Sequence, residues 1–599
     1  MEKIKVFKEQ KDKRVQLSEF CYNKNYGIYE LPKKVKNKYS FDYSDGIEKE
    51  NYILNSIKKA KNITDDSEEL MKMAKDWPSY YHLGIGRSNI LKALNLPYNV
   101  KILELGSGCG ALTRYLGEKY ESVDGIEGSS ERAQIAYERC RDLKNVKIFC
   151  SDFNRVKFNN SYDIVTLIGV LEYSPKYCLL NQLDSTDACL MLLKLAKTAL
   201  KENGILLIAI ENKIGIKYWS GCPEDHTGKI FSSIYGYPEG KGVITFSKKE
   251  LNSLLEKAGF LNNSFYSCFP DYKFASTIFS DIKNEKDFYL HNWVAIPFRP
   301  YSIPRSYTFH EGLAIKTLSK SGLLREFANS FLVIARKSEN NIVNKPDWIA
   351  KRFSTQRRKE FQCITTLKIN PKIYIEKKKI INDKDYIIKN NNYKIKQKAI
   401  NSPWYDGDLL IFDIYKMSIC KDYKKRLLKI LNLYYQELFN RYYIGSNDEE
   451  GYPLLKGESI DFIFRNIIKA NNKILPIDNE WFTENPIPAD YVMYRAVIID
   501  IVGSQFPWID KKIKNIDKFT VELIKSIFPN YGNRRNNKNE LIEKSFQDGV
   551  TNGLNQINLL PNYYFLRNKM IRGVTLKIWN KILPRRIKTI IKRLFFKKQ

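Results

Sequence analysis

Two sets of residues in this 599-residue chain have the types and spacing to do chemistry. The first is Glu104, Gly106, Gly108 and Gly110, reached through the apolar residues Ile102, Leu103 and Leu105. A glycine turn at the end of a buried strand lets backbone approach a ligand without interference from Cβ. Glu127 closes a second apolar run about twenty residues on, where a carboxylate accepts hydrogen bonds from ribose hydroxyls. The second set is Asp461, Asn466 and Asp478, spaced by five and twelve residues, with NNKILPID forming a turn and apolar strand before the last. Two carboxylates and an amide suffice to position an acceptor hydroxyl and to hold magnesium against nucleotide phosphates.

Positioning the first set requires strands alternating with helices. Strands are expected over KILEL, SVDGIE, NVKIFC (ending at Ser151 and Asp152), YDIVTLI (with Asp163 at its start) and GILLIAIEN, and a late one over NSFLVIARK. Helix starts are expected after Gly110, at Ser129 and Ser130, and at Ser247. This is an α/β pattern: a doubly wound, Rossmann-like sheet with a ligand crevice along the carboxyl ends of its strands. A dehydrogenase-like dinucleotide fold is disfavoured, because Gly110 breaks the GxGxxG spacing.

Residues 104–110 with Glu127 and Asp152 resemble the class I S-adenosylmethionine-dependent methyltransferases. The resemblance implies that Glu104, Gly106, Gly108 and Gly110 line the cofactor, Glu127 holds its ribose, and Asp152 with Phe153 borders its adenine. WPSYYHLGIGRSNIL stands where that family has a helix over the cofactor, so Tyr81 and Arg87 are candidates to reach its carboxylate or adenine. After the fourth strand, base-amine methyltransferases carry an Asn or Asp, Pro, Pro, aromatic run. Here Gly169, Val170, Leu171, Glu172 and Tyr173 stand there, as in small-molecule and glycan methyltransferases. Glu172 is a candidate general base. Beyond the fifth strand, Glu224, Asp225 and His226 are expected to bind acceptor rather than metal, since adjacent residues cannot all point inward.

The length calls for a second domain. The expected division is an N-terminal extension (1–75), a methyltransferase domain (76–337), a linker (338–347), a kinase-like α+β domain (348–555) and a basic tail (556–599). The second set of residues resembles the catalytic and metal-binding positions of aminoglycoside-phosphotransferase-like kinases. That resemblance makes Asp461 catalytic, Asn466 and Asp478 magnesium ligands, and ATP a second cofactor. It assigns Lys351, on a short WIAKRF strand, to the phosphates, with Glu360 as its partner on a helix beginning in RRKEFQCITTL. No Gly-rich loop precedes Lys351, and Ser459 and Ile460 replace the residues usual before the catalytic Asp. The combined architecture resembles the bifunctional kinase-methyltransferases that cap bacterial O-antigen polysaccharides.

The tail from Arg567 holds twelve Lys and Arg and no acidic residue. Ile587, Ile590, Ile591, Leu594 and Phe595 share one helical face there, flanked by Arg586, Lys588, Lys592 and Arg593, a pattern suited to an anionic membrane surface. These twelve cations leave most of the formal charge of +32 spread over the rest of the chain, a field that favours anionic partners. No apolar run approaches the length of a membrane span, MEKIKVFKEQKDK is charged rather than a signal, and ten cysteines without CxxC pairs argue against disulfides and zinc.

These readings converge on a cytoplasmic enzyme, peripheral on the inner face of the membrane, that O-methylates a cell-surface glycan or glycolipid precursor. Nucleic acid is not an expected partner. An RNA or small-molecule methyltransferase and a non-catalytic membrane-docked scaffold are the alternatives.

Overall fold

The computed structural model describes Arg14 to Leu554, apart from 35–42, 178–183, 240–241, 283–287, 297, 299–304, 306, 340–341, 344, 370, 382–386, 391–392, 399–400, 471–472 and 504–515. The basic tail expected at 556–599 lies outside the described residues. Among them, no helix is long and apolar enough to cross a membrane.

The strands that matter are β1 (Cys21–Asn23), β2 (Ile28–Glu30), β3 (Lys101–Leu105), β4 (Ser122–Glu127), β5 (Val146–Cys150), β6 (Tyr162–Ile168), β7 (Leu200–Glu211), β8 (Asn262–Phe269), β9 (Thr277–Phe279), β10 (Ser330–Arg336), β11 (Trp348–Ser354), β12 (Cys363–Ile369) and β13 (Ile373–Lys379). They form one sheet in the order β1-β2-β5-β4-β3-β6-β7-β10-β8-β9-β11-β12-β13, which Ser402–Pro403 completes. From β5 to β7 neighbouring strands are parallel. β10 slots between β7 and β8, antiparallel to both.

Strand order reverses between β3 and β6, and ligand crevices of doubly wound sheets open at that switch point. Both faces are covered, so the strands read as continuous apolar runs whose alternate residues serve opposite cores. Leu103, Leu105, Val165, Leu167, Leu206 and Ile208 pack on one side. Ile102, Ile164, Ile205 and Leu207 pack on the other. The expected start at Ser247 is a capping box: Ser247 Oγ accepts from the Glu250 amide while Glu250 Oε2 accepts from that of Ser247.

The N-terminal segment is built into this unit. β2 extends the sheet parallel to β5, and the helix Ile47–Lys59 buries Ile53 and Ile57 in a cluster with Cys109 and Ile135.

The sheet also runs through the expected linker. β9 pairs with β8 on one side and β11 on the other, so residues 338–347 join two strands of the same sheet. Beyond β13 lie the helices Ile411–Ser418 and Tyr423–Tyr442, a small sheet of Asp408–Leu409, Ile467–Ala470 and Lys473–Pro476, and the helices Ala489–Ala496, Ile516–Lys525 and Asn533–Thr551. Leu427, Ile430, Leu431, Tyr434 and Leu438 put a 3.6-residue stripe of the long helix into a separate core.

The helix expected from RRKEFQCITTL does not form. Lys359–Phe361 makes a single 3-10 turn, and Cys363–Ile369 is strand β12. Ile364, Thr365, Thr366 and Ile369 are β-branched, which favours a pleated surface over a helix.

Candidate active site

The glycine turn needs its glycines for two separate reasons. Gly106 and Gly110 have φ of +83° and +81°, where a side chain is strained. A Cβ at Gly106 would lie 2.6 Å from Val170 Cγ2, and one at Gly110 would lie 2.8 Å from the Cα of Ala136. Gly110→Ala is therefore expected to cost about 3 kcal/mol of stability, strain and backbone overlap together, read by calorimetry or denaturant unfolding. A loss below about 0.5 kcal/mol would show that Ser130–Arg139 moves aside freely.

Over this turn opens a cleft of about 1070 Å³, bordered by Glu104, Gly106, Gly108, Glu127, Phe153, Tyr81 and Arg87 among others. Glu127 is buried, and its two oxygens accept from the amides of Gly108 (2.7 Å) and Ser129 (3.0 Å), which ties the end of β4 to the turn. Glu104 accepts from Thr113 Oγ1 at 2.5 Å, and burial pushes its carboxyl up to about 7, with the nearby Glu127 carboxylate adding to the rise. The Arg87 guanidinium lies 3.9 Å over the Tyr81 ring and donates to the Lys273 carbonyl at 2.7 Å.

Two expectations need correction here. Asp152 does not border the cleft; it caps the following turn by accepting from the Asn154 amide at 2.9 Å, and Asn154 takes the lining position. Gly110 is absent from the lining as well and serves instead as the left-handed residue that opens the helix Ala111–Lys119.

Arg132, Tyr43 and His82 line the cleft and were not picked out in the sequence. Arg132 is buried against Gly108 with its guanidinium 4.7 Å from the Tyr43 ring, and His82 Nε2 lies 3.0 Å from Asp45 Oδ2. Tyr43 comes from the N-terminal extension, and nothing in its local pattern signals a site.

Glu172 does not line the cleft. Its neighbour Tyr173 does, and the Tyr173 ring meets the His226 ring edge-on at 5.3 Å. Beyond that contact lies a buried charged cluster. His226 Nδ1 is 2.8 Å from Glu224 Oε1, and His226 Nε2 is 3.8 Å from both Glu172 Oε1 and Glu211 Oε2. Lys273 bonds Glu211 and, at 3.1 Å, Asp225, while Lys217 Nζ lies 2.7 Å from Asp225 Oδ2. Adjacent residues do diverge, as expected: His226 points toward Glu172 and Glu211, while Asp225 turns to the two lysines.

A second cleft, of about 1230 Å³, lies between β11–β13 and the small sheet. Lys377 on β13, Asn466, Asp478 and Glu480 border it, with Arg352, Trp404 and Ile468. Lys377 Nζ pairs with Asp478 and, at 3.0 Å, with Glu480, whose other oxygen is 2.7 Å from Arg357. Asn466 Nδ2 donates to the Asp461 carbonyl at 3.2 Å.

Lys351 and Glu360 are corrected by this geometry. The Lys351 ammonium donates to the Ala93 carbonyl at 2.9 Å and sits over Trp348, where burial lowers it to about 8. Glu360 lies 3.5 Å from Arg358 on the 3-10 turn. Lys351 and Lys377 both sit on strands, and their side chains end in different places: only Lys377 opens into the cleft. Asp461 is buried, accepts from the Trp481 amide at 2.7 Å and does not line the cleft.

Residues 102–190 match the family described as a methyltransferase domain. Cyclopropane-fatty-acyl-phospholipid synthase of Escherichia coli (strain K12) is 32% identical over 85 residues, 14% of this chain and 22% of that protein. Ribosomal RNA small subunit methyltransferase A of Borrelia garinii subsp. bavariensis is 30% identical over 121 residues, 20% of this chain and 42% of that protein. The chain therefore spans less than half the length of these curated relatives. Haemonchus contortus phosphoethanolamine N-methyltransferase 2, solved in complex with S-adenosyl-L-methionine, is 17% identical with a TM-score of 0.25, covering 42% of this chain and 52% of that one. Residues 102–190 are thus similar to methyltransferase domains.

Proposed function

We propose that the first cleft binds S-adenosylmethionine and that the protein transfers its methyl group to an oxygen of a cell-surface glycan or glycolipid precursor. The observation that carries the cofactor assignment is Glu127, held at the switch point beside Gly108 inside the region that matches the methyltransferase domain. The cofactor supplies a sulfonium methyl. The chain's part is to orient it: the turn leaves backbone accessible, Glu127 keeps spare lone pairs for ribose hydroxyls, and Tyr81 and Arg87 close one wall. The acceptor class rests on the fourth-strand segment Gly169 to Tyr173, which lacks the base-amine motif. With labelled cofactor, membrane glycolipid fractions are expected to take up label in preference to RNA and small metabolites. Label entering RNA alone would overturn the acceptor.

The site also predicts a pH dependence. The Glu104 carboxyl stands at about 7 without ligand, and a cationic cofactor beside it favours the charged form. Affinity should be flat above about pH 8 and fall as pH drops through 7, because binding must then displace the proton. Glu104→Gln should flatten the profile in calorimetric titrations between pH 6 and 8. The raised value also makes the unliganded fold less stable as pH climbs from the ordinary glutamate range to about 7, since the folded state holds the proton longer than the unfolded chain.

The second cleft favours a nucleoside triphosphate with magnesium. Lys377 would meet the phosphates while Asn466 and Asp478 hold the metal, the arrangement of kinase-like phosphotransferases. Phosphorylation of the glycan end before methylation fits this pairing, and glycan labelling that requires ATP is its test. The basic tail would hold the protein at the inner membrane surface; binding to anionic vesicles that is lost on deleting 556–599 checks it.

A further inference from the structure

The charged cluster beyond Tyr173 brings together buried carboxylate oxygens that no hydrogen bond satisfies. Glu172 follows β6, Glu211 ends β7 and His226 lies in the loop after it; one ligand atom from each falls within 4.8 Å of the others. Glu172 and Glu211 are fully buried, and Glu172 Oε1, Glu172 Oε2 and Glu211 Oε2 have no hydrogen-bond partner. A buried carboxylate oxygen left without a partner costs several kcal/mol, and three such atoms converge here.

Hydrogen bonds from His226 do not resolve this. Glu224 accepts from the His226 and Thr227 amides at 3.0 and 2.7 Å and faces Nδ1 at 2.8 Å, so the imidazole carries its proton on Nδ1. Nε2 is left 3.8 Å from each carboxylate, beyond hydrogen-bond reach. That separation matches an edge of a coordination polyhedron, since metal–ligand bonds of about 2.1 Å place neighbouring ligand atoms roughly 3–4 Å apart. Lys217 pairs with Asp225 and Asp271, and Lys273 with Glu211 and Asp225, so among the described residues the ion-pair partner of Glu172 is His226 at 3.8 Å.

We propose that Glu172, Glu211 Oε2 and His226 Nε2 form a binding site for one divalent transition-metal ion beside the methyl-transfer cleft. Mixed imidazole and carboxylate ligands suit Mn2+, Fe2+ or Zn2+ rather than an all-oxygen Mg2+ site. Glu224 is the outer partner that fixes the imidazole tautomer, and Lys273 restrains Glu211 through its other oxygen. Three protein ligands leave coordination positions open to an oxygen ligand from solvent or acceptor.

The test uses Mn2+ as probe on the full chain carrying Asp478→Asn, so that the second cleft does not contribute, after chelator treatment. One Mn2+ per chain is expected by paramagnetic resonance, with nitrogen coupling from a single imidazole. Glu172→Gln should weaken binding at least about tenfold, and His226→Gln should remove the nitrogen coupling. The inference is overturned if the stripped chain binds no Mn2+ while remaining folded by circular dichroism, if bound Mn2+ shows no nitrogen coupling, or if Glu172→Gln leaves affinity unchanged. The coupling measured with Glu172 and His226 intact decides the matter even where a variant fails to fold. None of these readouts needs turnover, so the metal site and the methyl-transfer reading fail separately.

Discussion

Glu127→Ala is expected to weaken S-adenosylmethionine binding by about a hundredfold, measured by calorimetric titration at pH 8. The carboxylate does two things at once. It holds the amides of Gly108 and Ser129, and it keeps lone pairs for the ribose hydroxyls. Hydrogen bonds to a charged group contribute about 1.5–3 kcal/mol each, and losing two to the ligand corresponds to a factor of at least about a hundred. Because Gly108 also loses its tether, the turn should become more mobile in the unliganded protein, seen as faster amide exchange over 106–110. Glu127→Gln keeps one acceptor oxygen and should fall between the two. Unchanged affinity in Glu127→Ala would remove the ribose role and with it the assignment of the cleft.

Lys377→Met should abolish binding of ATP with magnesium in the second cleft, by at least about a hundredfold, while leaving S-adenosylmethionine affinity unchanged. The lysine lies against Asp478 and Glu480 and is a cation placed to meet phosphates in the cleft, which Arg352, Lys398 and Arg465 also line. Those acids hold its ammonium well above the usual lysine range, so it stays charged at any working pH. Removing it also leaves the buried Glu480 and the half-buried Asp478 less compensated, though Arg357 still pairs with Glu480. Lys377→Arg separates the two effects: it keeps the charge and the fold, yet its planar group matches a lysine position poorly. Lys351→Met is the control. Its ammonium ends on the Ala93 carbonyl, so the substitution should leave nucleotide affinity unchanged. An equal loss from Lys351→Met would overturn the placement of the phosphate lysine.

The strands of the first unit were legible because each is a dense apolar run bounded by turn residues. β3, β4, β6 and β10 lie where the runs place them, since burial on both faces favours apolar residues along most of each strand. The glycine turn was legible too, because only glycine supplies its positive φ at no steric cost. The stretch around Glu360 was misread: a window of four charged residues followed by an uncharged run has no clean period, and pairing of β12 with β11 and β13 decided it. Lysine assignment failed for a related reason. β11 carries Lys351 after Ile349 and Ala350 while β13 ends in Lys377, Lys378 and Lys379, and sequence says nothing about which lysine faces the small sheet.

What the sequence determined by itself was local: strand, glycine turn, acidic strand tip, and the five-and-twelve spacing of Asp461, Asn466 and Asp478. These follow from backbone sterics and periodicity, which act within a few residues. The tertiary structure alone decided which distant charges meet. Tyr43 and Arg132 come together at the cleft from separate elements, Lys377 finds Asp478 and Glu480 a hundred or so residues away, and Glu172, Glu211 and His226 converge from three segments. Buried charges interact through space in a low-dielectric interior, so their partners are set by packing and not by order along the chain.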